Sequence, residues 1–203
     1  MNTQIIKQGL DEIASRDKDV AKSLDDLGYP APRIRPPGFE TLFNIIVSQQ
    51  LSTHAAAAIM GRVHELLPEI KAESILDSSI ASLRGCGLSQ RKVEYAKGLS
   101  NAIIAGDFDP NDLQYMDNQE AIKEIMALKG FGPWSAEVYL MFSLQQPDIF
   151  PSGDLALLVA LQKLKGLDEK PTPKEAQQIV AHWSPWRSVG SLFLWHYYHG
   201  APT

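Results

Sequence analysis

Apolar residues recur along most of the chain at intervals of three and four, the period of helices that bury one face. Ile5, Ile6, Leu10, Ile13, Val20, Leu24 and Leu27 predict one helix over residues 4 to 27, ended by Gly28. Four prolines between Tyr29 and Gly38 forbid helix there and predict an extended connector at a boundary between two lobes. Phe39, Leu42, Phe43, Ile46 and Val47 predict a helix over 39 to 47, and Ser52 is placed to cap another that runs to Leu67. Ser89 opens a helix carrying Val93, Tyr95, Ala96, Leu99, Ile103 and Ile104, and Asn118 is placed to cap the next. The run after Pro133 is apolar on most faces, which predicts a central helix buried between neighbours. Asp154 opens a helix over 155 to 164, and Thr172-Pro173-Lys174-Glu175 is a capping box with proline at the first helical position. Ser184-Pro185 is expected to start the last helix in the same way, with Trp186, Val189, Leu192, Phe193, Trp195 and Tyr197 turned inward. No stretch alternates with period two between hairpin turns, so the expected fold is all-α.

Two turns between these helices carry chemistry. Leu128-Lys129-Gly130-Phe131-Gly132 joins two helical patterns, and Leu83-Arg84-Gly85-Cys86-Gly87-Leu88 repeats it earlier in the chain. Glycine tolerates the positive φ and the close backbone approach that such turns need. A hairpin of this kind exposes N–H groups at a helix start, where the helix dipole adds to them, and can hold a phosphate without any basic side chain. Asp154 follows Trp134 by twenty positions, in the run Phe150-Pro151-Ser152-Gly153-Asp154. A carboxylate at a helix start is an N-cap by default; one held rigid and ionised by helix N–H groups can also stabilise positive charge.

These stretches, with Phe39-Glu40-Thr41-Leu42, Ser48-Gln49-Gln50-Leu51-Ser52, Gly87-Leu88-Ser89-Gln90-Arg91-Lys92 and Trp183-Ser184-Pro185-Trp186-Arg187-Ser188, carry a resemblance. The chain resembles the helix-hairpin-helix superfamily of base-excision DNA glycosylases, and within it the 3-methyladenine DNA glycosylase II family, over residues 30 to 200. The resemblance implies two helical lobes, 38–132 ending in the helix-hairpin-helix and 1–37 plus 133–203 carrying the aspartate, with the active-site cleft between them. It implies Asp154 as the catalytic carboxylate, and Trp134, Tyr139 and Trp186 as walls of the base pocket. Lys129, Gly130, Phe131 and Gly132 would grip the DNA backbone, with Arg91 and Lys92 adding contacts. Gln49, Gln50 and Leu51 would meet the duplex, Gln50 filling the gap left by an extruded base. Backbone carbonyls of Met126, Leu128 and Phe131 are the positions implied for a bound Na+ or K+. Superfamily members that also cut the strand use a lysine where this chain has Trp134, and tryptophan cannot form a Schiff base. The implied activity is therefore monofunctional hydrolysis of alkylated purines, 3-methyladenine and 7-methylguanine, from double-stranded DNA, leaving an abasic site. Two other readings stay open: a helix-hairpin-helix DNA-binding protein without catalysis, and a glycosylase for uracil, hypoxanthine or a mismatch.

Charge sharpens this picture. Nineteen Lys and Arg against 24 Asp and Glu give a net charge of −5, which argues against DNA binding through bulk electrostatics. Contact must then be local, through hairpin N–H groups and a small cationic face drawn from Arg33, Arg35, Arg84, Arg91, Lys92, Lys97 and Lys129. Cys86 is the sole cysteine, so no internal disulfide and no four-cysteine iron–sulfur cluster is expected. His196 and His199 lie three apart on a helix, without a third ligand near them in sequence. The first residues lack the apolar core of a signal peptide and no stretch is long enough to span a bilayer, so a cytoplasmic location is expected, nucleoid-associated if bacterial; the chain is separately expected to be a monomer.

Overall fold

The computed structural model describes residues 1 to 200, with side chains through Tyr198. Among the described residues the regular structure is helical throughout, with no strand. The helices are α1 Thr3–Ala14, α2 Lys18–Leu27, α3 Phe39–Ser48, α4 Thr53–Leu66, α5 Ala72–Asp77, α6 Ile80–Gly85, α7 Gln90–Ala105, α8 Asn118–Ala127, α9 Pro133–Phe142, α10 Leu155–Lys165, α11 Pro173–Ile179 and α12 Arg187–Gly200. Short 3₁₀ turns stand at Asp112–Tyr115 and Ala181–Trp183. The chain forms two compact units: Arg35–Tyr139, and Met1–Ile34 with the chain from Leu140 onward. One passage between them thus lies in the proline-rich stretch, the other within α9 itself.

In the unit Arg35–Tyr139, Phe43, Val47, Ile59, Met60, Val63, Ile75, Leu83, Leu88, Val93 and Ala96 form one apolar core. Helix α7 is its spine, packed against α3, α5 and α6. Three cations close helix C-termini, where carbonyls lack acceptors' usual partners. Lys92 Nζ donates to Val47 O at 2.7 Å and Gln49 O at 2.8 Å. Lys97 Nζ donates to Leu76 O and Ser78 O at 2.9 and 2.8 Å. Arg62 Nε donates to Cys86 O at 2.7 Å, while the buried Cys86 thiol donates to Arg62 O at 3.5 Å. Lys92 and Lys97 therefore leave the expected cationic face: their ammonium groups are turned inward onto backbone. Asp117, and not Asn118, caps α8; its carboxylate accepts from Gln119 and Glu120 N–H at 2.8 and 2.9 Å, because Glu120 stands at the position that completes a capping box.

In the other unit, α1 packs on α2 and α12, and α10 on α12, α2 and α11. The helix expected over 4 to 27 is two helices. Asp17, only 4% exposed, starts α2 by accepting from Asp19 and Val20 N–H, and also accepts from Lys165 Nζ, His182 Nε2 and Trp183 Nε1 at 2.5, 3.0 and 2.7 Å. Burial works against the charge of Asp17, and the hydrogen bonds from Lys165, Trp183 and His182 outweigh it, holding the carboxyl below its usual range. The apolar period runs through this corner because Val20 and Leu24 stay in phase, which hides the break from pattern reading. Helix α12 likewise begins later than Ser184-Pro185 implies. Its first N–H, of Arg187, donates at 3.1 Å to Asp148 Oδ1, a cap supplied from 39 residues away, and Ser184 donates its hydroxyl to the same carboxylate at 2.8 Å.

Candidate functional site

The 128–132 hairpin is built by backbone bonds and one close approach. Leu128 N–H donates to Ile125 O and Phe131 N–H to Leu128 O, both at 3.2 Å. Gly130 has φ +98°, and a Cβ there would lie 2.4 Å from the Tyr95 ring, so only glycine fits. Phe131 is buried and Lys129 is exposed, its ammonium 3.9 Å from the Glu94 carboxylate. Pro133 takes the first position of α9, where a missing N–H is harmless. The remaining first-turn N–H groups have no acceptor inside the helix and point along its axis. Leu128 O, one of the three carbonyls expected to hold a cation, already accepts from Phe131 and keeps its second lone pair.

The 48–51 turn follows α3. Gln50 is exposed and holds φ +57°, a left-handed conformation that costs a non-glycine residue on the order of 1 kcal/mol. Leu51 is exposed beside it. Gln49 points elsewhere: its Nε2 donates to Gly130 O at 2.8 Å. The structure thus brings Gln49, Gly130 and Lys92 together. Gln49 and Lys92 hold protein backbone where DNA contact is expected, while Arg91 remains exposed.

On α9, Trp134 is 38% exposed, whereas Tyr139 has no exposed surface and accepts Gly38 N–H on its hydroxyl at 2.9 Å. Tyr139 therefore presents no face to a base and fastens the entry to α3, a correction that follows from its position on the fully packed side of the helix. Glu137, one turn beyond Trp134 on the less buried side, escaped the sequence reading. Burial pushes its carboxyl up to about 7. The signal was its isolation among apolar residues in the sequence of α9.

Asp154 is half-buried and caps α10, its Oδ1 accepting Leu157 N–H at 3.0 Å and its own N–H donating to Pro151 O at 2.9 Å. The loop that carries it is tied to the start of α12. Ser188 N–H donates to Pro147 O at 2.9 Å, Ile149 N–H to Ser188 Oγ at 2.8 Å, and Arg187 grips Asp148 with Nε and Nη2 at 2.7 and 2.8 Å. Burial disfavours the Asp148 charge, but the Arg187 and Ser184 bonds outweigh it and lower the carboxyl's pKa. Trp186 is half-buried; its indole N–H donates to Glu12 at 2.7 Å, and its ring lies where a Cβ on Gly9 would approach within 3.1 Å. That ring fastens α1 on α12 and keeps part of its surface exposed. His196 meets Leu27 O at 3.3 Å, and the side chain of His199 lies outside the described residues. Among the described residues no group of three or more His, Cys, Asp or Glu could hold a metal ion, and no helix is long and apolar enough to cross a membrane.

A family model described as HhH-GPD superfamily base excision DNA repair protein matches residues 43–185, a span holding both hairpins, the Gln50 turn and Asp154. DNA-3-methyladenine glycosylase 1 of Schizosaccharomyces pombe is 30% identical over 161 residues, 77% of this chain and 71% of that protein. A Bacillus subtilis relative is 29% identical over 165 residues, 77% of this chain, and the match spans 58% of that protein's length. The solved structure of a Schizosaccharomyces pombe 3-methyladenine DNA glycosylase in complex with abasic DNA superposes with a TM-score of 0.88 at 26% identity, covering 96% of this chain and 98% of that one.

Proposed function

Because the chain belongs to the HhH-GPD superfamily of base excision DNA repair proteins, we propose that it is a monofunctional DNA glycosylase that removes alkylated purines from double-stranded DNA. The observation that carries this reading is Asp154, a carboxylate fixed by the Leu157 N–H at the end of a loop anchored by α12. A base in a duplex is out of reach of any side chain, so the nucleotide must be extruded and its vacancy filled. Gln50, exposed on a left-handed turn, supplies that wedge, and the 128–132 hairpin grips phosphate through N–H groups at the start of α9. Carbonyls of Met126, Leu128 and Phe131 would hold Na+ or K+ beside the same phosphate; a bound cation there would add positive charge to the grip.

The bond from the sugar C1′ to the base nitrogen breaks with its electron pair leaving on the base, and positive charge builds on the sugar. Asp154 stabilises that charge and orients water, whose oxygen bonds to C1′ while its proton passes to solvent. N3- or N7-methylation makes a purine cationic, so the base departs neutral without a general acid. Trp134 is exposed and its ring favours such a cation, by roughly 0.5 to 2 kcal/mol. Its indole offers no amine for a Schiff base, so strand cleavage does not follow.

One experiment tests these points together. Single-turnover incubation with 7-methylguanine duplexes should release free base and leave a strand that breaks only in alkali, with no borohydride-trapped adduct. Asp154→Asn should slow release on the order of 10² to 10⁴ while DNA binding by anisotropy persists. Near-normal release by the variant would reduce Asp154 to a helix cap, and a trapped adduct would overturn the monofunctional reading.

A further inference from the structure

The Gln50 turn is held from two directions, neither of them local in sequence. After Ser48 the backbone closes with Leu51 N–H donating to Ser48 O at 3.2 Å, and Gln50 sits at φ +57°. A non-glycine residue keeps that conformation only where its surroundings over-determine it. The first restraint is the Lys92 ammonium, seated between Val47 O and Gln49 O. The second is the Gln49 side chain, whose amide donates at 2.8 Å to Gly130 O, 81 residues away in the hairpin. Gly130 in turn is pressed on the Tyr95 ring. Lys92 and Tyr95 stand three apart on α7, so one side of one helix carries both the cap of the Gln50 turn and the seat of the hairpin.

We infer that Gln49 and Lys92 are positioning residues for base extrusion: they lock the Gln50 turn to the 128–132 hairpin, so that gripping the backbone sets where Gln50 enters the duplex. This rests on the reading of the hairpin as grip and Gln50 as wedge. With both groups bonded to backbone, they act through Gln50 and not on phosphate. A loose turn would let the hairpin bind while Gln50 relaxes out of its left-handed conformation, and extrusion would fail after binding.

The test separates extrusion from folding and from bond cleavage. Lys92→Met, Lys92→Arg and Gln49→Leu are compared with the native protein at saturating concentration, on 7-methylguanine in duplex and in single-stranded DNA, where no stacked partner strand must be displaced. The duplex to single-strand release ratio should fall at least tenfold for Lys92→Met and Gln49→Leu, and Lys92→Arg, which can still donate twice, should restore it to within threefold. Equal losses on both substrates would overturn the inference and leave a structural role. A second arm needs no catalysis: 2-aminopurine within a duplex brightens as it unstacks, and the native increase should disappear in Lys92→Met and Gln49→Leu. Retention of that increase in the variants overturns the inference. Brightening by a native protein that releases no base would instead sink the glycosylase reading and leave the inference standing.

Discussion

Burial sets the charge state of Glu137. Its carboxyl, raised to about 7 by burial, binds a proton in the folded protein at pH values where the unfolded chain has lost it. Stability therefore falls as pH rises from about 4.5 to about 7, by on the order of 3 kcal/mol at most, and the full penalty remains above pH 7. Glu137→Gln removes the penalty. Melting temperatures should be similar for variant and native protein at pH 4.5 and higher by several degrees for the variant at pH 8; equal curves at pH 8 would mean that the carboxyl is hydrated. Asp17 and Asp148, whose pKa values are lowered, contribute the opposite dependence, losing stability only as pH falls below the ordinary carboxylate range. At this scale the sequence disclosed residue types whose role is local, such as the hairpin Gly130 and the cap Asp154. The direction of a long side chain was not legible: Lys92 and Lys97 read as surface cations, and only tertiary packing turns them onto carbonyls.

Helix starts show the same division. Ser52, Ser89, Asp154 and Thr172 each cap a helix whose N–H groups lie three residues on, and these were readable because donor and acceptor share one short stretch. The cap of α12 comes from Asp148 and was not readable, since nothing in the order of residues joins 148 to 187. This cap has the larger consequence, because Asp148 lies in the loop that leads to Asp154. Asp148→Ala should cost about 2 kcal/mol in urea unfolding, from the lost N-cap and the charge left on Arg187. Ser184→Ala, which removes one exposed contributor to the same carboxylate, should cost less than half as much. Equal losses in the two variants would show that neither the N-cap nor the Arg187 pair contributes anything beyond the hydroxyl. The split of α1 from α2 was hidden for a related reason: Asp17 looks like any polar residue on a helix until Lys165, His182 and Trp183 converge on it.

For the molecule as a whole, helix periodicity and turn chemistry sufficed for the fold class, and the family was legible as a resemblance carried by the hairpin, Trp134 and Asp154 together with the stretches at 39–42, 48–52, 87–92 and 183–188. Net charge supplied the constraint on binding. With Lys92 and Lys97 bonded to backbone, the exposed cations that lie in the two hairpins or directly after them in sequence are Arg84, Arg91 and Lys129. Two or three neutralised phosphates predict a slope of about −2 to −3 for log K against log salt. Anisotropy titrations over a range of salt concentrations measure it, and a slope steeper than about −5 would require a broad basic face in place of a backbone grip.

Cys86 closes the first hairpin, buried, its thiol donating to Arg62 O and its pKa pushed up by that burial. Soft electrophiles that methylate ring nitrogens also methylate thiolates, the nucleophilic form of cysteine. The one thiol of this chain is thus kept in its unreactive form and out of reach. A protein proposed to clear alkylation damage carries its only thiol shielded from the reagents that cause that damage.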